Sequence, residues 1–121
     1  MAICGDLIKL LDPSNVTIAL VHLASDGTLK DFVYSGTSKS PSIGNSLGVK
    51  LSETEWTTVK VVCHMNDNTK DIYINGNLVL EGAALYTSSG ASEYVIDRTR
   101  IMQNKSSGYG VVCVDDFKIS K

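Results

Sequence analysis

The sequence predicts an all-β fold, an antiparallel two-sheet sandwich built by a single domain over residues 1–121. Three observations predict it. Apolar and polar residues alternate over short runs, which is the period of a half-buried strand and not of a helix. Turn signals, among them Asp26-Gly27 and Asn75-Gly76, recur about every ten residues, the spacing of a sandwich. No run keeps helical apolar spacing for more than about one turn.

The elements follow in order. "GDLIKLL", residues 5–11, opens the chain almost inside a strand, and "VTIALVHL", residues 16–23, reads as a buried one. Ser25-Asp26-Gly27 is a hairpin turn, because Asp-Gly tolerates the positive φ angles such turns need. "TLKDFVY" is the returning strand, and residues 36–46, "GTSKSPSIGNS", read as a polar loop around Pro41. "LGVKL" is a short strand leading into a longer one that carries Trp56. A small-residue loop, "AALYTSSGAS", separates Gly82 from "EYVIDRTRIMQ", and "YGVVCVDDFKIS" is the closing strand.

The central stretch, residues 55–82, can be read in register. Successive strand residues face opposite sides, so Val59, Val61, Cys63 and Met65 share one face and Lys60, Val62 and His64 the other. If residues 66–69, "NDNT", form the loop, Met65 pairs with Lys70, Cys63 with Ile72 and Val61 with Ile74. His64 then meets Asp71, Val62 meets Tyr73 and Lys60 meets Asn75. The first set is a core face shared with Phe117 and Ile119 in the closing strand. At the next turn, a two-residue Asn75-Gly76 loop brings Val79 to the core face, whereas a three-residue loop brings Leu78 and Leu80. Both remain open.

Composition excludes several classes of function. A net charge of −2 leaves no basic face for nucleic acid. No apolar run approaches the roughly 20 residues that span a bilayer. The first residues carry neither the basic segment nor the apolar segment of a signal peptide. Cys4, Cys63 and Cys113 form no CxxC motif; they read as buried free thiols, with a Cys63–Cys113 bridge as the alternative. His22 and His64 lack the spacing of zinc ligands, and no cofactor is expected.

"EWTTVKVV" followed by "DIYINGNLV" resembles the tryptophan strand and hairpin of the laminin-G-like and concanavalin A-like jelly rolls. "GVVCVDDFKIS", residues 110–120, resembles their closing strand, in the expected order and at roughly the expected separation. The resemblance covers about half the chain. It implies a concanavalin-like jelly roll, and a non-catalytic carbohydrate-binding or lectin-like module of a larger extracellular or cell-surface protein. A structural or adhesion domain and a partial glycosidase or lyase are the alternatives, since fold alone does not assign function.

Candidate ligand-binding residues are Tyr73, as a stacking surface, with Lys60, His64 and Asp71 around it on the non-core face. No catalytic residues are expected. Glycosidases need paired carboxylates converging on one bond; adjacent Asp115 and Asp116 point to opposite faces, and Glu53 and Glu55 lack a third acid. No metal site is expected; Asp67, Asp115 and Asp116 are the candidate oxygen donors if a structural calcium ion is bound. The segment before the tryptophan strand is short for the family, so "GDLIKLL" is expected to form a sheet edge guarded only by Asp6 and Lys9. Such an edge invites strand pairing and a homodimer.

Overall fold

The computed structural model describes residues 4–13, 17–33, 42–85, 96 and 98–104. These form eight strands: β1 (Cys4–Leu11), β2 (Thr17–Leu23), β3 (Thr28–Val33), β4 (Ser42–Lys50), β5 (Val59–His64), β6 (Thr69–Ile74), β7 (Asn77–Ala84) and β8 (Arg98–Asn104). Among the described residues no helix is long and apolar enough to cross a membrane. One sheet runs in the order β4-β3-β2-β1-β8 and the other in the order β5-β6-β7. Every pairing is antiparallel, so the expected all-β class with two antiparallel sheets holds.

The sheets stack as a sandwich because each presents one apolar phase to the other. Val21, Leu23, Leu29 and Leu47 of the larger sheet share a core with Ile72 and Ile74 of the smaller. Val59, Val61, Val79 and Leu80 pack against it. Each fully buried aliphatic side chain contributes about 1.5–3 kcal/mol. β2 lies inside its sheet and is buried at consecutive positions from Thr17 to Val21, hence on both faces. That is why its sequence is a continuous apolar run and not an alternating one. Ile18 and Ala19 join Leu85 in a second cluster, packed by Leu10, Cys63 and Ile96.

Turn chemistry sets the hairpins. Between β2 and β3, the Gly27 N–H donates to the Ala24 carbonyl at 2.9 Å, and the Thr28 N–H donates to Asp26 Oδ1 at 2.9 Å. Between β6 and β7, Ile74 pairs with Asn77, so the loop is the two-residue Asn75-Gly76. Both residues take positive φ, 51° and 80°, the conformation of a type I′ turn. The register then shifts, with Tyr73 opposite Leu78 but Ile72 opposite Leu80. The bulge turns Val79 and Leu80 both towards the core, which joins the two alternatives the sequence left open.

Several expectations are corrected. The β5–β6 loop comprises residues 65–68, so Cys63 pairs with Lys70, Val61 with Ile72 and His64 with Thr69. The ladder is offset by two residues from the expected one. Faces are unchanged, because a strand has period two. Asn68 takes the left-handed conformation at φ 56°, which Asn tolerates better than most residues, and this closes the earlier loop. Met65 consequently leaves the core face and is 40% exposed.

Residues 42–46, expected in a polar loop, belong to β4 and pair with β3 through an irregular register. Trp56 is not in a strand. Ser52 Oγ accepts the N–H groups of Thr54 and Glu55 at 3.2 and 3.0 Å, and the resulting bend delays β5 until Val59.

The strand at "GDLIKLL" is not a sheet edge. β1 pairs with β2 on one side, Lys9 opposite Leu20, and with β8 on the other, Lys9 opposite Arg100. Its backbone groups are therefore engaged on both sides, which removes the basis for strand pairing through the N-terminal edge. Phe117, Ile119, Cys113, Asp115 and Asp116 lie outside the described residues.

Candidate functional site

The outward face of β5-β6-β7 carries all four candidate side chains. Each holds a phase opposite to the core residues beside it: Lys60 and His64 between Val59, Val61 and Cys63, and Asp71 and Tyr73 between Lys70, Ile72 and Ile74. The ladder sets them in rows. Lys60, Tyr73 and Leu78 lie across the three strands, and Val62 stands opposite Asp71.

Two couples result. The Lys60 ammonium sits 5.3 Å from the centroid of the Tyr73 ring, within cation–π range. His64 Nε2 lies 2.7 Å from Asp71 Oδ2, a diagonal contact along the ladder and not the direct pair expected from sequence. Asp71 Oδ1 accepts the Gly82 N–H at 2.8 Å. Gly82 can offer it because β7 bulges there, with Gly82 at φ 66°, a conformation natural to glycine. Asp71 therefore ties all three strands together.

The His64 hydrogen bond, and then that of Gly82, hold the Asp71 carboxyl below its ordinary value of 3.8. A depressed folded-state value means that the stabilisation is complete above the unfolded value and lost as pH falls through the folded one. Asp71→Asn should therefore lower stability at neutral pH and flatten its decline in acid. Urea midpoints measured from about pH 5 down to about pH 2 check this, and parallel curves for the two proteins would contradict it.

Chemically, the face offers a ring, an apolar side chain and fixed polar groups. Both Asp71 oxygens are already engaged, which suits a hydrogen-bond acceptor for ligand hydroxyls better than a base or nucleophile. Leu78 is 45% exposed and extends the Tyr73 surface onto β7. Its phase follows from the two-residue Asn75-Gly76 loop, which sets Leu78 opposite Tyr73; the three-residue alternative that the sequence left open would have turned it to the core. At the turn end, Asn75 accepts the Thr58 N–H through Oδ1 at 2.9 Å and donates its own N–H to the Thr58 carbonyl at 2.8 Å. This fixes the connection that carries Trp56, which is 69% exposed.

Of the calcium candidates, Asp67 is exposed in the β5–β6 loop, and Asp115 and Asp116 lie outside the described residues. Among the described residues, no three His, Cys, Asp or Glu side chains group as metal ligands. Cys63 carries a free thiol, pushed above its ordinary value by burial. Compared with known proteins, the chain matches no family model, no curated protein and no solved structure.

Proposed function

We propose that the protein is a non-catalytic, lectin-like module that binds carbohydrate on the outward face of β5-β6-β7. The row Lys60–Tyr73–Leu78 carries this reading. A sugar ring has an apolar face that stacks on an aromatic side chain and hydroxyls that seek fixed donors and acceptors. Tyr73 and Leu78 would take the first, and Lys60, His64 and Asp71 the second. A concanavalin-like or laminin-G-like jelly roll, as part of an extracellular or cell-surface protein, is the topology and setting that accompany the proposal.

A glycan array on the folded protein, followed by calorimetry on the best hit, tests it. Tyr73→Ala is expected to weaken binding about tenfold, the effect of losing roughly 1.4 kcal/mol. Unchanged affinity in that variant removes this site. One observation favours a second reading, adhesion through protein contacts. Trp56 and Leu78 are both large and exposed, and aromatic residues are enriched at protein interfaces.

A further inference from the structure

Between the sheets lies a pair of groups that the outward face does not use. Lys70 of β6 and Asp31 of β3 both fall in the core phase of their strands. Their side chains are only 2% and 8% exposed. Lys70 Nζ lies 2.5 Å from Asp31 Oδ1. The neighbours in phase along their strands, Ile72 and Leu29, are fully buried, as is Val21, which stands opposite Asp31 in the β2–β3 ladder. Directly across β5 from Lys70 is Cys63, whose thiol burial keeps protonated, so this neighbour brings no competing negative charge.

We propose that Lys70 and Asp31 condense to an intramolecular isopeptide bond, joining Lys70 Nζ to Asp31 Cγ and linking the two sheets covalently. Atoms, protons and charge balance within the two side chains alone. A proton passes from the ammonium to the carboxylate within their hydrogen bond, freeing the nitrogen lone pair. The nitrogen attacks Cγ, a second proton moves from nitrogen to one carboxyl oxygen, and that oxygen leaves as water. One C–N bond forms and one C–O bond breaks. Two of the three ammonium protons depart in the water, and the neutral amide keeps the third.

Three physical features favour this outcome over a permanent ion pair. Strands of opposing sheets hold the two groups, so the encounter is already made; well-oriented intramolecular reactions reach effective concentrations of about 10⁵–10⁸ M. A nitrogen hydrogen-bonded to one carboxylate oxygen is also close to the carboxyl carbon, near the roughly 3–3.5 Å from which attack begins. Burial excludes the water that would reverse the condensation. It also penalises two charges more than one neutral amide, because ions lose their hydration on entering an apolar core.

The intact mass of the folded protein, kept at neutral pH and then measured under denaturing conditions, decides the matter. The expected mass is that of the sequence less one water. Trypsin should fail to cut after Lys70, and one branched peptide should join the segments containing Asp31 and Lys70. Lys70→Arg and Asp31→Ala chains should each show the full sequence mass. A succinimide at Asp26-Gly27 would shed the same water, but it yields no branched peptide, so that pattern overturns the proposal. So does a folded wild-type chain, verified by circular dichroism, at full sequence mass.

Discussion

Replacing Lys70 by Met is expected to destabilise the protein by about 3–5 kcal/mol or more, because the variant strands the buried Asp31 carboxyl without a partner and, with it, loses the proposed link between the sheets. The side chain that remains, Asp31, is almost wholly out of water. With Lys70 gone it must either stay ionised among aliphatic groups or take up a proton, and both are costly. Asp31→Leu should be comparably harmful for the mirror-image reason. The double variant is the informative one. Apolar residues of similar volume can replace a buried pair with little loss, so Lys70→Met with Asp31→Leu should be more stable than either single change. Urea unfolding of the three chains gives the comparison. A Lys70→Met midpoint near that of wild type would show that this lysine reaches solvent.

Ile72→Ala is expected to cost about 2–5 kcal/mol, through lost burial and the cavity left behind. Ile72 is fully buried, in the middle strand of the smaller sheet, against Val21, Leu23 and Leu29 of the larger. Neither flank can collapse without moving a ladder. Val61, partly buried on the same face, should cost about 1–3 kcal/mol as Val61→Ala. Lys60→Ala, one residue away on the opposite face, should stay within about 0.5 kcal/mol. Thermal or urea unfolding measures all three, and equal losses at positions 60 and 61 would contradict the assignment of the two faces.

Much of this arrangement was legible in the sequence because a strand has a two-residue period. Val59, Val61, Ile72 and Ile74 face the core and Lys60, His64, Asp71 and Tyr73 face away, even though the expected ladder was offset by two residues. An even offset leaves parity intact, so the faces survived an error in the partners. Asp26-Gly27 and Asn75-Gly76 were readable as turns because only a few residue types accept their backbone angles.

Long-range partners were not readable. Lys70 stood in the core phase in plain view, but its meaning depends on Asp31, 39 residues earlier. Asp31 likewise follows Leu29 in phase, and a charged residue in each of two core phases was the available signal. The position of β1 inside its sheet depends on β8, and no local pattern near "GDLIKLL" announces it. Trp56 misled because tryptophan favours strands, while the Ser52 bend that keeps it outside β5 is made by a single hydroxyl.

The β1–β8 ladder also has a consequence for the order in which the chain assembles. The meander from β1 to β4 and the pair of hairpins from β5 to β7 close through short connections. By contrast, Cys4 meets Asn104 across nearly the whole length of the chain. Closing so long a loop carries an entropic cost that local hairpins avoid, and non-local pairings form slowly. During synthesis, β1 therefore acquires β2 early and waits for β8 until late, with one row of backbone groups unsatisfied in the meantime. The open edge that is absent from the folded protein exists in the nascent one. Aggregation through it competes with folding until β8 has paired with β1.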